Sequence, residues 1–466
     1  MLEFRNVSFT YENSEERVLD NVSFRINKGE CVLLTGVSGS GKSTIVHLIN
    51  GLIPTLYEGE LSGEIFYNAT NLRSINTYDI AKDIGYVSQD PRGHFFTTNT
   101  TSELVFAMEN FGIPLEKMKK RYSAIVELLE LEEIVNKNIL YISSGERQKI
   151  AIGCSLTLMP KVIILDEPSS NLDFHMTKKL TILIEKLKNK GYTIIIAEHR
   201  IHYIQKLIDK VLIVDKGIVK EVTITDLKNS TELPLRSLDI FNLPLENISD
   251  KSGNMLLQLD NVSYSNILSQ ISTTINKGDI IGLIGSNGAG KTTLLRLLTD
   301  IIRPSNGKII NTVKPFLVMQ DMDYQFFTES VLSEMRFGNE EVESDRINNL
   351  LEEIGLDQFK NKIPFELSGG QKQRLLIAIA ALSNVNLLMF DEPTSGLDYI
   401  NMNKVSNILK NLSRENALII ATHDIEFLYK TCNRIIYLEN KKIKKDFCLD
   451  NKNKSEVQEI FMNMGE

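Results

Sequence analysis

GVSGSGKST, residues 36–44, returns as GSNGAGKTT at 285–293. Both copies satisfy G-x-x-x-x-G-K-[ST]. Both stand between an apolar, strand-like run (ECVLLT, DIIGLI) and a helix-like one (TIVHLINGL, TLLRLLTD), the setting a phosphate loop requires. Glycines let successive backbone N–H groups turn inward around phosphate oxygens, and the following helix start adds the positive end of its dipole. The first loop offers Ser38, Gly39, Ser40, Gly41, Lys42, Ser43 and Thr44. The second offers Asn287, Gly288, Ala289, Gly290, Lys291, Thr292 and Thr293. Lys42 and Lys291 are expected to reach the β- and γ-phosphates of a nucleotide, with Ser43 and Thr292 holding Mg²⁺.

Outward from the loops, the rest of the chain repeats in the same order. LDNVSF (19–24) and LDNVSY (259–264) precede them, followed by NKGE (27–30) and NKGD (276–279). VSQD (87–90) is answered by VMQD (318–321), ISSGERQK (142–149) by LSGGQKQR (367–374), ILDEPSSNLD (164–173) by MFDEPTSGLD (389–398), and IIIAEH (194–199) by LIIATH (418–423). A repeat of this length is a duplicated domain. The expected organisation is a domain over 1–225, a linker over 226–254 and a second domain over 255–466, the later half being shorter between its first two motifs. The linker region is rich in Asn, Ser and Asp, holds two prolines, and has room for one short helix. The ending SEVQEIFMNMGE has amphipathic helical spacing, which suits packing on its own domain or binding a partner.

Totals narrow the class. At 466 residues the chain exceeds one ordinary core. A net charge of −8 argues against a nucleic-acid partner, which needs a basic face. Four cysteines without a CxxC pair predict a reducing compartment, no disulfide framework and no structural zinc. The opening MLEFRNVSF lacks an apolar signal core. Apolar runs such as TIIIA (193–197) and KVIIL (161–165) fall far short of the ~20 residues of a membrane span and suit buried parallel strands instead.

VIILDE (162–167) and LLMFDE (387–392) are apolar strands ending in two acids, and ligands of open α/β sheets sit at such strand ends. Asp166 and Asp391 are expected to hold Mg²⁺ through its water shell, and Glu167 and Glu392 to polarise the attacking water. His199 and His423 close two further strands, where a neutral imidazole can hydrogen-bond a γ-phosphate.

A phosphate loop, a glutamine after a strand, LSGGQ, DE and a histidine, in that order and twice over, resemble the ATPase domain of ABC proteins across nearly the whole chain. The resemblance implies an α/β fold of two tandem P-loop NTPase domains, each with a mixed α/β core and a helical subdomain, packed head to tail. It implies ATP and Mg²⁺ as cofactors, with Gln89 and Gln320 near the metal. ATP at Lys42 would be completed by Ser368, Gly369, Gly370 and Gln371, and ATP at Lys291 by Ser143, Ser144, Gly145 and Glu146. Because each signature serves the other half's nucleotide, fusion keeps the partner at an effective concentration of about millimolar. In the altered signature, Ser144 replaces a glycine and Glu146 a glutamine. The carboxylate would repel phosphate if it faced it and would stabilise the helix start if it pointed away. The expectation is two competent sites. Tyr11 and Tyr264, after the first strand of each half, are placed to stack on adenine.

After each glutamine comes an acid, an FF pair and an S-E helix: QDPRGHFFTTNTTSELVF from 89 and QDMDYQFFTESVLSEM from 320. This resembles the ATPases of energy-coupling factor importers, which take up vitamins or metal ions. The resemblance implies a peripheral place on the cytoplasmic face of the membrane. It also implies an integral membrane scaffold subunit and a separate membrane substrate-binding subunit as partners. Arg92, Gly93 and His94 depart from the acidic or amide residues common there. A fused sugar-importer ATPase and a soluble twin-ABC ATPase acting on ribosomes stay open as alternatives.

Overall fold

A computed structural model of the chain describes residues 1–12, 14–229, 233–246, 253–339 and 341–464, apart from the side chains of Arg92 and His94. Two compact units appear, the first comprising Met1–Leu172 and Met176–Leu238, the second Asp173–His175 and Asp239–Glu466. Parts of the sequence-read linker, 230–232 and 247–252, and the last two residues of the tail lie outside the described residues.

The first unit is built on a six-stranded sheet in the order Ile218–Val222, Lys210–Asp215, Cys31–Gly36, Thr193–Ala197, Val162–Asp166, Ile84–Val87. All neighbours are parallel except the first pair. Its central strands are continuous apolar runs because both faces are covered: Val162, Ile163, Ile164 and Leu165 are all fully buried. A second, antiparallel sheet, in the order Leu19–Ile26, Leu2–Tyr11, Gly59–Tyr67, Thr70–Asn71, supplies the other layer, and its apolar face joins one core with the phosphate-loop helix Lys42–Ile49. Helices Thr100–Asn110, Leu115–Leu129 and Ser144–Leu156 form the helical part.

The second unit repeats this plan. Its six strands run Pro315–Val318, Leu387–Asp391, Ala417–Ala421, Ile280–Ile284, Arg434–Glu439, Lys442–Cys448, with a three-stranded antiparallel sheet of Leu268–Asn276, Met255–Tyr264 and Asn306–Asn311. Helices Val331–Arg336, Ser344–Glu353 and Gly369–Leu382 correspond to the helical part of the first unit, the first two being shorter. The mixed α/β core with a helical part, expected for both halves, is present.

Leu233, Leu235 and Leu238 pack on the first unit's core, while Phe241, Leu243 and Leu245 pack on the second's. One short helix, Ile224–Asn229, precedes them. The tail helix Lys454–Asn463 buries Val457, Ile460 and Phe461 in the core of its own unit, the packed one of its two sequence readings. Among the described residues no helix is long and apolar enough to cross a membrane.

Candidate functional site

Each phosphate loop ends on a glycine in a conformation that other residues rarely adopt. Gly41 and Gly290 take φ of 109° and 101° at the N-cap of the following helix. A Cβ on them would meet Leu19 Cδ2 at 2.8 Å and Leu268 Cδ2 at 2.7 Å. The left-handed backbone favours glycine, and a side chain would in addition press on a leucine methyl. Lys42 Nζ donates to the carbonyls of Gly36 and Val37 at 3.0 and 2.9 Å, and Lys291 Nζ to those of Gly285 and Ser286 at 2.8 and 3.2 Å. Both ammonium groups therefore lie folded across their own loops, in reach of an anion cradled there. Burial holds Lys291 below the usual lysine value, against the raising pull of Glu392 and Asp391.

The acids stand where the strands end. Asp391 accepts from the Thr292 hydroxyl at 2.6 Å, so the two proposed Mg²⁺ ligands of the second unit already touch. Asp166 accepts from the Tyr86 hydroxyl at 3.4 Å. Burial pushes Asp166 up to about 6, against the lowering effects of Tyr86 and Lys42, and raises Asp391 as well. Desolvated carboxylates beside a hydroxyl are hard oxygen donors short of a cation. One hydroxyl and one carboxylate are what Mg²⁺ takes from a protein when phosphates complete its shell, so the residues fit the metal.

Glu167 and Glu392 take φ of 43° and 54°, a left-handed conformation that costs a non-glycine residue about 1–3 kcal/mol and persists only when its surroundings impose it. Here the N–H of each is held by the next strand, on Ala197 O at 2.8 Å and Ala421 O at 2.9 Å. Each glutamate meets its histidine: His199 Nε2 is 3.5 Å from Glu167 Oε1, and His423 Nε2 is 3.4 Å from Glu392 Oε1. Gln89 Nε2 donates to Glu167 Oε2 at 2.8 Å, while His423 Nε2 also lies 3.1 Å from Lys291 Nζ and from Asn287 Oδ1. Burial raises Glu167 well above its ordinary value, reinforced by Glu198 and Asp166.

The octapeptides open helices. Ser143 caps Ser144–Leu156, and Ser368 caps Gly369–Leu382, each in a capping box. Glu146 and Gln371 play one role: Glu146 Oε2 accepts from the Ser143 N–H at 2.7 Å, and Gln371 Oε1 from the Ser368 N–H at 2.8 Å. Glu146 takes one bond more, from the Ser143 hydroxyl at 2.7 Å. Burial would raise its carboxyl, but these bonds hold it below the usual value. The first glycine of LSGGQ is not structurally required: Gly369 has no positive φ, and a Cβ there meets nothing within 4 Å, so Ser144 fits the same place. The second is closely packed, a Cβ on Gly145 falling 2.2 Å from Met176 Cε and one on Gly370 3.2 Å from Leu397 Cδ2.

Tyr11 ends its strand with its hydroxyl 3.0 Å from Thr44 Oγ1, beside the loop. Tyr264 ends the matching strand, partly buried against the neighbouring core. Each unit thus gathers its phosphate loop, acid pair and histidine, and forms its signature as a separate helix start. Gln373, which the sequence did not single out, donates to the Glu392 carbonyl at 2.8 Å and links the second signature helix to the glutamate of its own unit.

The segments after Gln89 and Gln320 form short 3-10 turns, Pro91–His94 and Met322–Gln325. In each, a buried glutamate pins the FF turn. Glu103 accepts from the N–H of Phe96, and from the N–H and hydroxyl of Thr97, the last two at 2.8 Å. Glu334 does the same for Phe327 and Thr328, with 2.9 and 2.8 Å to Thr328. The second phenylalanine of each pair is forced outward, Phe96 being 77% and Phe327 70% exposed.

Comparison with known proteins agrees with this geometry. The sequence pattern of the family described as ABC transporter matches residues 19–170 and 268–395. A Treponema denticola protein with the provisional name ABC transporter ATP-binding protein is 38% identical over 98% of this chain and 99% of its own length. A Bacillus subtilis protein provisionally named HMP/thiamine import ATP-binding protein YkoD is 30% identical over 94% of this chain and 90% of its own. Among solved structures, the archaeal ribosome recycling factor aABCE1, in its complex with ribosomal stalk protein aP1, superposes with TM-score 0.69 over 98% of this chain and 92% of that one, at 21% identity. A structure named RNase-L Inhibitor gives 0.67 over 97% and 92%, at 20% identity. At such identities the likeness is one of fold.

Proposed function

The chain belongs to the ABC transporter family as an ATPase with two fused ATP-binding domains, and from that premise we propose that it powers a membrane importer of the energy-coupling factor kind, for a vitamin or a metal ion. The domains are taken as 1–225 and 255–466, joined by 226–254. Its place is the cytoplasmic face of the membrane. An integral scaffold subunit and a separate substrate-binding membrane subunit supply the path and the cargo site.

The hydrolytic reading starts from the side chains. Lys42 and Lys291 exchange their loop carbonyls for phosphate oxygens. Glu167 and Glu392 accept a proton from water aligned on the γ-phosphate, and His199 and His423 hold that phosphate and the glutamate together. Ser43 with Asp166, and Thr292 with Asp391, would hold Mg²⁺, aided by Gln89 and Gln320, and the ion would supply neutralising charge to the phosphates. Each nucleotide is covered by the signature of the other domain, Ser368–Gln371 over Lys42 and Ser143–Glu146 over Lys291. Closure around ATP and release after hydrolysis give the two states that drive transport.

The observation that carries the importer reading is the pinned FF turn. In both halves a buried glutamate fixes one phenylalanine toward solvent, seven residues after a glutamine, which in the first half bonds Glu167. Each exposed ring is paired with a second, Phe96 with Phe106 and Phe327 with Phe337, and such a fixed aromatic pair can serve as an anchor for a partner's apolar helix. The import role in the name of the Bacillus relative supports the same direction. The test is recovery of tagged protein from its native membrane in mild detergent. Co-purification of a hydrophobic scaffold and a substrate-binding membrane subunit, reduced by Phe96→Ser and Phe327→Ser with ATP binding retained, is the expected result. Recovery with ribosomal proteins, or with sugar-transport subunits, would replace the assignment and leave the ATPase standing.

A further inference from the structure

The histidines have unlike neighbours. The first unit reads Glu198-His199-Arg200, the second Thr422-His423-Asp424. In the first, the hydroxyl of Ser169, two residues after Glu167, donates to Glu198 Oε1, which also accepts from the Tyr203 hydroxyl at 3.1 Å. Glu198 Oε2 accepts from the His199 N–H at 3.0 Å. In the second, Thr394, two residues after Glu392, donates to Asp424 Oδ2 at 3.0 Å, and Asp424 Oδ1 accepts from the Phe427 N–H at 3.2 Å. Thr422 stands where Glu198 does, accepting from the Asp424 N–H at 3.1 Å and donating to Glu392 Oε2 at 3.4 Å. The carboxylate has crossed from one side of the histidine to the other, while the hydroxyl it holds has stayed in place. All four partners are buried, Ser169 and Glu198 to 0 and 2% exposure, Thr394 and Asp424 to 1 and 4%.

We propose that Glu198 and Asp424 are equivalent positioning residues, each tying the turn that carries the hydrolytic glutamate to the loop that carries the histidine. Glu167 and Glu392 hold a left-handed backbone that needs support from outside, and the acid–hydroxyl bond supplies it two residues downstream. The result is the same in both halves, since the histidine–glutamate distances agree at 3.5 and 3.4 Å despite the exchange. A third position changes in step. Tyr203, whose hydroxyl completes Glu198, is matched by Phe427, whose side chain has no polar role to fill where the acid is Asp424. Neither acid touches the reacting atoms, so each acts through its neighbours.

The proposal rests on Glu167 and Glu392 being the hydrolytic glutamates, and the test separates the two ideas. MgATP turnover of the full chain is measured in a Glu392→Gln background, which isolates the first site. Adding Glu198→Thr is expected to lower kcat about tenfold or more, with KM changed less than about twofold. Adding Arg200→Asp and Tyr203→Phe to Glu198→Thr transplants the second unit's arrangement and is expected to recover most of the loss. A transplant no faster than Glu198→Thr, or a full kcat in Glu198→Thr itself, overturns the proposal. Unchanged turnover in a Glu167→Gln/Glu392→Gln double variant overturns the glutamate reading instead. Should Glu198→Thr not fold, the mirror set decides the same question in a Glu167→Gln background: Asp424→Arg against Thr422→Glu/Asp424→Arg/Phe427→Tyr.

Discussion

Segments 198–207 and 422–431 leave equivalent strands on equivalent histidines, yet one runs on as turns and the other as the helix Ile425–Thr431. The difference follows from one side chain. Asp424 is the N-cap of that helix and its carboxylate takes the Phe427 N–H, whereas Arg200 in its place has no acceptor to offer. The contact that matters to the glutamate survives because Glu198 reaches the Ser169 hydroxyl from the other side. Duplicated domains here preserve a bond and let the residue that makes it move. The signature copies teach the same lesson more mildly, with Glu146 and Gln371 making one capping bond through different chemistry.

The comparison breaks most visibly at the glutamates. Glu167→Gln with Glu392→Gln is expected to cut ATP turnover by about 10²-fold or more, while either change alone leaves a measurable remainder. Full loss in only one single variant would show that the halves are not equivalent. Next come the buried acids of the FF turns. Glu103→Ala and Glu334→Ala each strand two backbone N–H groups, while the threonine hydroxyl keeps a carbonyl acceptor, and the change costs about 1–3 kcal/mol. Denaturant unfolding should give matching losses in the two halves, and a clear inequality would mean that one turn has other support. At the histidine corner, Asp424→Ala removes a helix cap worth about 0.5–2 kcal/mol, a loss that denaturant unfolding should show. Glu146→Gln, which copies the other signature, is expected to be the smallest change, within about 0.5 kcal/mol at neutral pH. Its pH signature sharpens the comparison. Glu146 is held below the ordinary carboxylate value, so its contribution is complete above that value and fades as acid protonates the folded state. The glutamine variant should lack that acid-side loss in thermal melts taken between neutral pH and about pH 3.

Much of this was legible in the sequence because each motif is a contiguous string with a local cause. The phosphate loops, the acid pairs and the strand-ending histidines could be read without knowing what lay opposite them, and Ser143 and Ser368 sit where a capping residue should. What stayed hidden depends on partners distant in the chain. Ser169 lies 29 residues from Glu198, and Thr394 lies 30 from Asp424, so the exchange of sides shows only when the strands are laid together. The residues EHR and THD were in view, and the aligned repeat was the signal that could have raised the question. Glu103 and Glu334 were seen as part of an S-E helix, but an acid's burial cannot be told from its letter. Whether Glu146 faced phosphate or its own helix was open until its bond to Ser143 was seen.

The moved carboxylate also bears on how such a chain can change over generations. In an ATPase built from two identical subunits, one altered codon appears in both sites at once, and an intermediate with its acid missing is impaired twice over. In a fused chain the change falls on a single copy. The other histidine corner keeps working while Glu198 and Arg200 are tried out, so a two-step exchange that a homodimer would have to cross in the dark becomes passable.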